Sequence, residues 1–215
     1  MAILSHELRA PLAAITVAIA VQKRALAPER RQRATEVIEH QVRHMSALVD
    51  NIGDAVEIGR SLTLNVQRLD IRGALRDALD ATAPAFQLKR HELTLAQAAV
   101  PLWVAGDETR LTQVFSNLLR NAAAYTPEHG RIDVSLALHD GQVQFRIADN
   151  GLGIQPEWLD KIFNLFERGP HGISRGSGIG LGLVRALVQL HGGTVRARSD
   201  GPGRGSEFIV TLPPA

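Results

Sequence analysis

Cysteine is absent from the 215-residue chain. Disulfides, thiol catalysis and thiolate-ligated zinc are therefore excluded. Aromatic residues make up only 4% of the chain, with a single tyrosine, Tyr125. A stacking surface for bases would need more, and Trp103 and Trp158 read as packing anchors. No apolar run approaches the roughly 18 residues of a membrane span. No signal peptide is visible. Charge of one sign is also lacking: 24 Lys and Arg face 22 Asp and Glu, a net of +2. Neither half of the chain carries a basic stripe or tail, so no nucleic-acid partner is expected. What remains is 45% hydrophobic and 21% charged, the balance of an ordinary folded protein. Length allows one large domain or two modest ones.

Glycine is scarce in the first sixty residues, where only Gly53 and Gly59 occur. There Leu4, Leu8, Leu12, Ile15 and Ile19 recur at three- and four-residue steps and fall within about 80° on a helical wheel. Ala27-Pro28-Glu29 interrupts the pattern, with proline suited to the first turn of a new helix. Val37, Ile38, Val42, Met45, Leu48, Val49, Ile52 and Val56 continue it. The expectation is a helical hairpin over 1–60, with an apolar stripe on each helix. Two copies would bury those stripes as a four-helix bundle. The chain opens inside an amphipathic pattern, which is expected of a piece of a longer protein.

The remainder mixes periods. The segment 62–66 alternates like a strand, and Asp70 is placed to N-cap a helix running to about Ala83. A short strand is expected at 92–96, and a helix capped by Asp107 to about Ala124. Residues 131–139 and 142–148 alternate around Asp140-Gly141, a strong hairpin signal. Helical segments are expected near 156–163 and 181–191, then a hairpin of 194–199 and 206–212. This predicts an α+β fold, with a mostly antiparallel sheet layered on helices.

Four segments carry chemistry. In Ser5-His6-Glu7-Leu8-Arg9-Ala10-Pro11, His6 lies about 160° from the centre of the apolar stripe and faces solvent. A neutral imidazole beside a carboxylate is a competent nucleophile; the plain alternative is a surface histidine. Pro11 should loosen the turn that carries it. Asn117 and Asn121 share one helical face, and amide oxygens suit Mg²⁺; the alternative is a pair of surface amides. Asp149-Asn150-Gly151-Leu152-Gly153-Ile154 follows a strand. It reads either as a turn or as a place where backbone approaches a ligand and Asp149 accepts from an exocyclic amine. Gly176-Ser177-Gly178-Ile179-Gly180-Leu181-Gly182 opens a helix, a placement that favours phosphate. It matches neither the dinucleotide fingerprint nor the P-loop. Between the last two, the segment 163–172 is short, Gly-rich and cationic, as a lid over phosphates would be. Glu36, His40 and His44 have helical metal-ligand spacing but no further ligand, so they read as a solvated face.

The order of these segments is more specific than any one of them. His-Glu-x-x-x-Pro, Asn-x-x-x-Asn, Asp-x-Gly-x-Gly, Phe-x-x-Phe and Gly-x-Gly-x-Gly, followed by His191-Gly192-Gly193, resembles the catalytic core of two-component sensor histidine kinases. The match spans nearly the whole chain. The resemblance implies a dimerisation and phosphotransfer hairpin at 1–60, a linker at 61–69 and an ATP-binding domain of the GHKL type at 70–215. It makes His6 the phosphoacceptor and Glu7 its acid–base partner. Asn121 becomes the Mg²⁺ ligand, with Asn117 at the phosphate and metal side. Asp149 is implied to bind the adenine amino group, in a pocket shaped by Gly151, Gly153 and Ile154 and lined by Tyr125. Gly178, Gly180, Leu181 and Gly182 border the phosphates, while Phe166, Arg168, His171 and Arg175 belong to the lid.

Two positions depart from the family pattern. Ala10 stands where Thr or Asn is common, and Ala124 where Lys is common. The implied activity is ATP-dependent autophosphorylation of His6 and transfer to an aspartate of a response-regulator receiver domain. The implied cofactors are ATP and Mg²⁺. A homodimer, an upstream sensor domain outside this chain, and a cytoplasmic location for these residues are also implied. Two alternatives are a GHKL-type ATPase and a degenerate, nucleotide-bound dimeric scaffold. The N-terminal Ser-His-Glu hairpin weighs against the first and Ala124 keeps the second open.

Overall fold

A computed structural model describes residues 2–24, 27–58, 62–164 and 178–215. Its contacts divide into two units, Met1–Arg60 and Ser61–Ala215.

The first unit is a hairpin of α1 (Ala2–Arg24) and α2 (Pro28–Ile58). Pro28 opens α2, where its missing N–H costs nothing. The amides of Arg30 and Arg31 both donate to Ala27 O. α1 continues through Pro11. Small residues form the seam: Ala18 and Ala34 are buried, and Gln22 Nε2 donates to Thr35 Oγ1 at 3.1 Å. Leu12, Ile19, Val37, Val42 and Val49 are left exposed. One hairpin therefore does not cover the apolar stripes that its sequence carries.

The second unit sets helices against one face of a five-stranded sheet. Its elements are β1 (Gln67–Asp70), α3 (Arg72–Leu88), β2 (Glu92–Gln97), β3 (Trp103–Gly106), α4 (Glu108–Tyr125), β4 (Arg131–His139), β5 (Gln142–Asp149), α5 (Gly180–Leu190), β6 (Thr194–Arg198) and β7 (Ser206–Leu212). The sheet order is β2-β4-β5-β7-β6, with only β2 and β4 parallel. Alternation puts Ile132, Val134, Leu136, Val143, Phe145, Ile147, Phe208 and Val210 into the core. Leu111, Phe115, Leu118 and Leu119 of α4 are fully buried, and Phe115 meets Phe145 with ring centroids 4.6 Å apart. Asp140 and Gly141 both take positive φ, 50° and 72°, which closes the β4–β5 hairpin as a tight two-residue turn.

Three expectations are corrected. Residues 62–66 are not a strand; pairing begins at Gln67, opposite Gly106. The partner strand β3 ends where Asp107 caps α4, so nothing lies beyond to pair with 62–66, and Asn65 N instead donates to Asp107 Oδ2. Asp70 is not the cap residue of α3. Ile71 holds that position, while Asp70 ends β1 and its carboxylate accepts from the amides of Arg72 and Leu102. α3 also passes Pro84 to reach Leu88. Burial of Ala74, Leu75, Ala78, Thr82 and Phe86 along one face carries the helix past the proline. β3 itself was not foreseen, being only four residues long.

Trp103 also differs from a packing anchor, while Trp158 is half-buried. Trp103 is 39% exposed and lies beneath the Arg68 guanidinium, 4.5 Å from its ring centroid. The Lys161 ammonium stands 5.5 Å from the Trp158 ring.

Candidate functional site

α4 is the spine of the site. Asp107 accepts from Arg110 N at 3.1 Å and starts the helix in register. Its length then sets Asn117, Arg120 and Asn121 on adjoining turns and delivers Tyr125 to its last position. At the far end Lys89 reaches across from the end of α3. Its Nζ donates to the carbonyls of Ala123, Ala124 and Thr126 at 2.7, 2.8 and 2.9 Å. A cation on these orphan carbonyls holds the end of the helix and opposes the negative end of its dipole.

One end of the site is built on the turn after β5. Asp149 Oδ1 accepts from Gly151 N at 2.8 Å and Oδ2 accepts from Ser206 Oγ at 2.6 Å. The carboxylate is held by two neighbours and keeps lone pairs for a third donor. Gly151 packs directly on the end of α4: a β-carbon there would stand 2.4 Å from Tyr125 O. Leu152 N donates to that same carbonyl at 3.2 Å. Gly153 has φ +69°, and a side chain would meet Gly201 O at 2.1 Å. Ile154 is half-buried, and its amide donates to Ser199 Oγ at 2.9 Å. Ser199 and Ser206 carry no motif of their own. They become part of the turn only because β7 lies beside β5 and β6 beside β7.

The other end lies where α4 passes under the start of α5. Asn117 is 8% exposed. Gly180 lies over it, so that a β-carbon would stand 3.9 Å from Asn117 Oδ1. Oδ1 accepts from Arg120 Nη2 at 3.0 Å, while Asn117 Nδ2 is buried with no partner among the described residues. Such an orphan donor is costly unless something supplies an acceptor. Asn121 is half-buried, one turn further along. Gly178 takes φ +67° just before α5, and Gly180, Leu181 and Gly182 form its first turn. Arg120 is exposed at the surface, and partial desolvation of its guanidinium lowers its pKa from the ordinary arginine value.

Asn117, Asn121, Tyr125, Asp149, Gly151, Gly153, Ile154, Gly178, Gly180, Leu181 and Gly182 thus all lie on connected elements of one unit. Phe163 is buried, edge-on to Phe208 with ring centroids 6.2 Å apart. Phe166, Arg168, His171 and Arg175 lie outside the described residues. His6, Glu7 and Ala10 sit on α1, and their side chains are outside the described set, as are those of His40 and His44. Glu36 accepts from Gln32 Nε2 at 3.2 Å. Among the described residues, no three His, Cys, Asp or Glu side chains cluster as a metal site. None of the described helices is long and apolar enough to cross a membrane.

The His Kinase A phospho-acceptor family matches residues 1–60. The family of histidine kinase-, DNA gyrase B- and HSP90-like ATPases matches residues 106–215, just over half of the chain. The chain belongs to the sensor histidine kinases. Sensor protein ChvG of Agrobacterium fabrum is 32% identical over 98% of the chain, and histidine protein kinase DivJ of Caulobacter vibrioides is 33% identical over 99%. The chain spans 38% and 36% of those proteins. Full-length ShkA in complex with AMPPNP superposes with a TM-score of 0.71 at 30% identity, covering all of this chain and 45% of ShkA. Histidine kinase ThkA, in complex with the response regulator TrrA, shares the fold at a TM-score of 0.73 and 22% identity, over 99% of this chain and 60% of ThkA. The C-terminal unit of this sensor histidine kinase core is an ATP-binding fold, and the chain is a nucleotide user.

Proposed function

We propose that this core transfers the γ-phosphoryl group of ATP to His6 and then to an aspartate of a response-regulator receiver domain. The observation that carries the reading is the orphaned, buried amide of Asn117 beneath the first turn of α5. It lies on the same helix that ends against the Asp149–Gly151 turn. An acceptor-rich anion at one end and a flat amine-bearing base at the other would satisfy both places. In that arrangement Asp149 accepts from the adenine amino group, Gly151, Gly153, Ile154 and Tyr125 border the base, and the amides around Gly178, Gly180, Leu181 and Gly182 donate to the phosphates. Arg168, His171 and Arg175 are assigned to the lid with Phe166.

Asn121 is the residue assigned to Mg²⁺. An amide oxygen suits that ion, which takes its remaining ligands from water and phosphate. Bound there, Mg²⁺ supplies charge neutralisation at the phosphates. Asn117 carries an amide and so cannot act as a general base for water. At the acceptor, the imidazole nitrogen forms the bond to phosphorus as the bond to the ADP oxygen breaks. Glu7 takes the imidazole proton. Such transfer depends chiefly on positioning and charge stabilisation. We assign 1–60 to dimerisation and phosphotransfer, 61–69 to the connection between the units and 70–215 to ATP binding. The apolar positions left exposed on the hairpin support pairing with a second copy.

Incubation with γ-labelled ATP and Mg²⁺ tests the reading. Acid-labile label on the protein is the expected result. Rapid free phosphate without label supports an ATPase, and neither product supports a scaffold.

A further inference from the structure

Arg120 lies between the two asparagines of α4, and neither its position nor its type belongs to the motif that marks them. Its guanidinium donates to Asn117 Oδ1 at 3.0 Å. Among the described residues Arg120 makes no ion pair, so this neutral amide is its only hydrogen-bonded partner there. A guanidinium has five N–H groups in a planar fork, and one amide oxygen takes only one of them. Arg120 is exposed, so its unspent donors are accessible to an anion.

Asn117 supplies a second, independent observation. Its oxygen is already taken by Arg120. Its Nδ2 is buried without an acceptor among the described residues, and the residue is 8% exposed beneath the N-terminal turn of α5. An amide whose oxygen is held by a cation has its orientation fixed, with the NH₂ left as the free donor. The guanidinium, the buried amide donor and the backbone N–H groups of an 11-residue helix are three kinds of donor with no anion. Ala124, meanwhile, provides no cation at the position where the family pattern commonly has one.

We propose that Arg120 is a polyphosphate-binding residue, supplying the cation that Ala124 does not and setting the orientation of the Asn117 amide. The proposal rests on the nucleotide-binding reading above and extends it to a residue outside the motifs. No bond is made or broken by Arg120. It acts through charge and through hydrogen bonds to phosphate oxygens, where an arginine can bind in bidentate fashion.

The test is equilibrium binding of Mg-ATP and of adenosine to the full 215-residue chain, compared for the unmodified chain, Arg120→Ala and Arg120→Lys. Adenosine carries the base but no phosphate, so its binding reports an intact fold and pocket. Loss of one or two charge-assisted hydrogen bonds predicts about tenfold to a hundredfold weaker Mg-ATP binding by Arg120→Ala. Adenosine binding should stay within about twofold, and Arg120→Lys should restore part of the loss, since a point charge replaces the fork. Mg-ATP binding unchanged in Arg120→Ala overturns the assignment while leaving the nucleotide reading intact. Equal weakening of Mg-ATP and adenosine also overturns it, because the role would then be structural. An unmodified chain that binds neither ligand overturns the nucleotide reading and this assignment with it.

Discussion

His191 Nε2 accepts the backbone N–H of Asp107 at 3.0 Å while His191 Nδ1 donates to Leu187 O at 2.7 Å. The two contacts require the neutral Nδ1–H tautomer. They also tie the end of α5 to the residue that starts α4, the helix that carries Asn117 and Asn121. The histidine beside Gly192-Gly193 is therefore a buried strut.

Replacing it should loosen both helices. His191→Ala leaves the Asp107 amide without its partner and opens a cavity in the core, at a cost of about 2–4 kcal/mol. Urea unfolding followed by far-UV circular dichroism measures this. A change in midpoint equivalent to less than about 0.5 kcal/mol, within the usual range of surface substitutions, would contradict the strut.

Asp70 gives a pH dependence. The Arg72 side chain hydrogen-bonds to its carboxylate and holds its pKa below the usual value, helped by the amides of Leu102 and Arg72 and opposed by partial burial. The folded pKa lies below the unfolded one. The stabilisation is thus complete above the unfolded value of about 3.9 and is lost as pH falls through the folded pKa. Asp70→Asn should lower stability at pH 7, by about 1–2 kcal/mol for a charge-assisted bond. The gap from the unmodified chain should be narrower at pH 3, below the unfolded value, where the stabilisation has begun to be lost. An equal gap at both pH values would contradict the pairing.

A third prediction concerns Ala10. In the resembling family, Thr or Asn at this position orients a water for dephosphorylation of the regulator. Alanine has no side-chain donor or acceptor. The chain should therefore have weak phosphatase activity towards a phosphorylated receiver domain, and Ala10→Thr should raise it. Strong dephosphorylation by the unmodified chain, unchanged in Ala10→Thr, would contradict this reading of Ala10.

Elements with a local signature were legible in the sequence. Asp107 announces α4 because its side chain caps the first turn, and Asp140-Gly141 announces its hairpin because the turn needs positive φ twice. Gly151 and Gly153 stood out in the sequence as places of close backbone approach, and the structure shows that approach at Tyr125 O and Gly201 O. What lacked a local signature was set by tertiary contact. β3 exists through its pairing with β1, and α3 outlasts Pro84 because its apolar face is buried. Ser206, Ser199 and Lys89 join the site only because strands and helices distant in sequence fold beside it. Lys89 is the extreme case, an ordinary surface residue type that caps a helix 34 residues away.

The central claim is that this site holds ATP for transfer to a histidine and does not hydrolyse it. The most direct measurement follows γ-labelled ATP with Mg²⁺ in the unmodified chain, His6→Gln and Asn121→Ala, scoring acid-labile protein label and free phosphate together. Acid-labile label is predicted only in the unmodified chain, with slow phosphate release in His6→Gln and neither product in Asn121→Ala. Label persisting in His6→Gln, or phosphate released by His6→Gln as fast as the unmodified chain is labelled, would contradict the account.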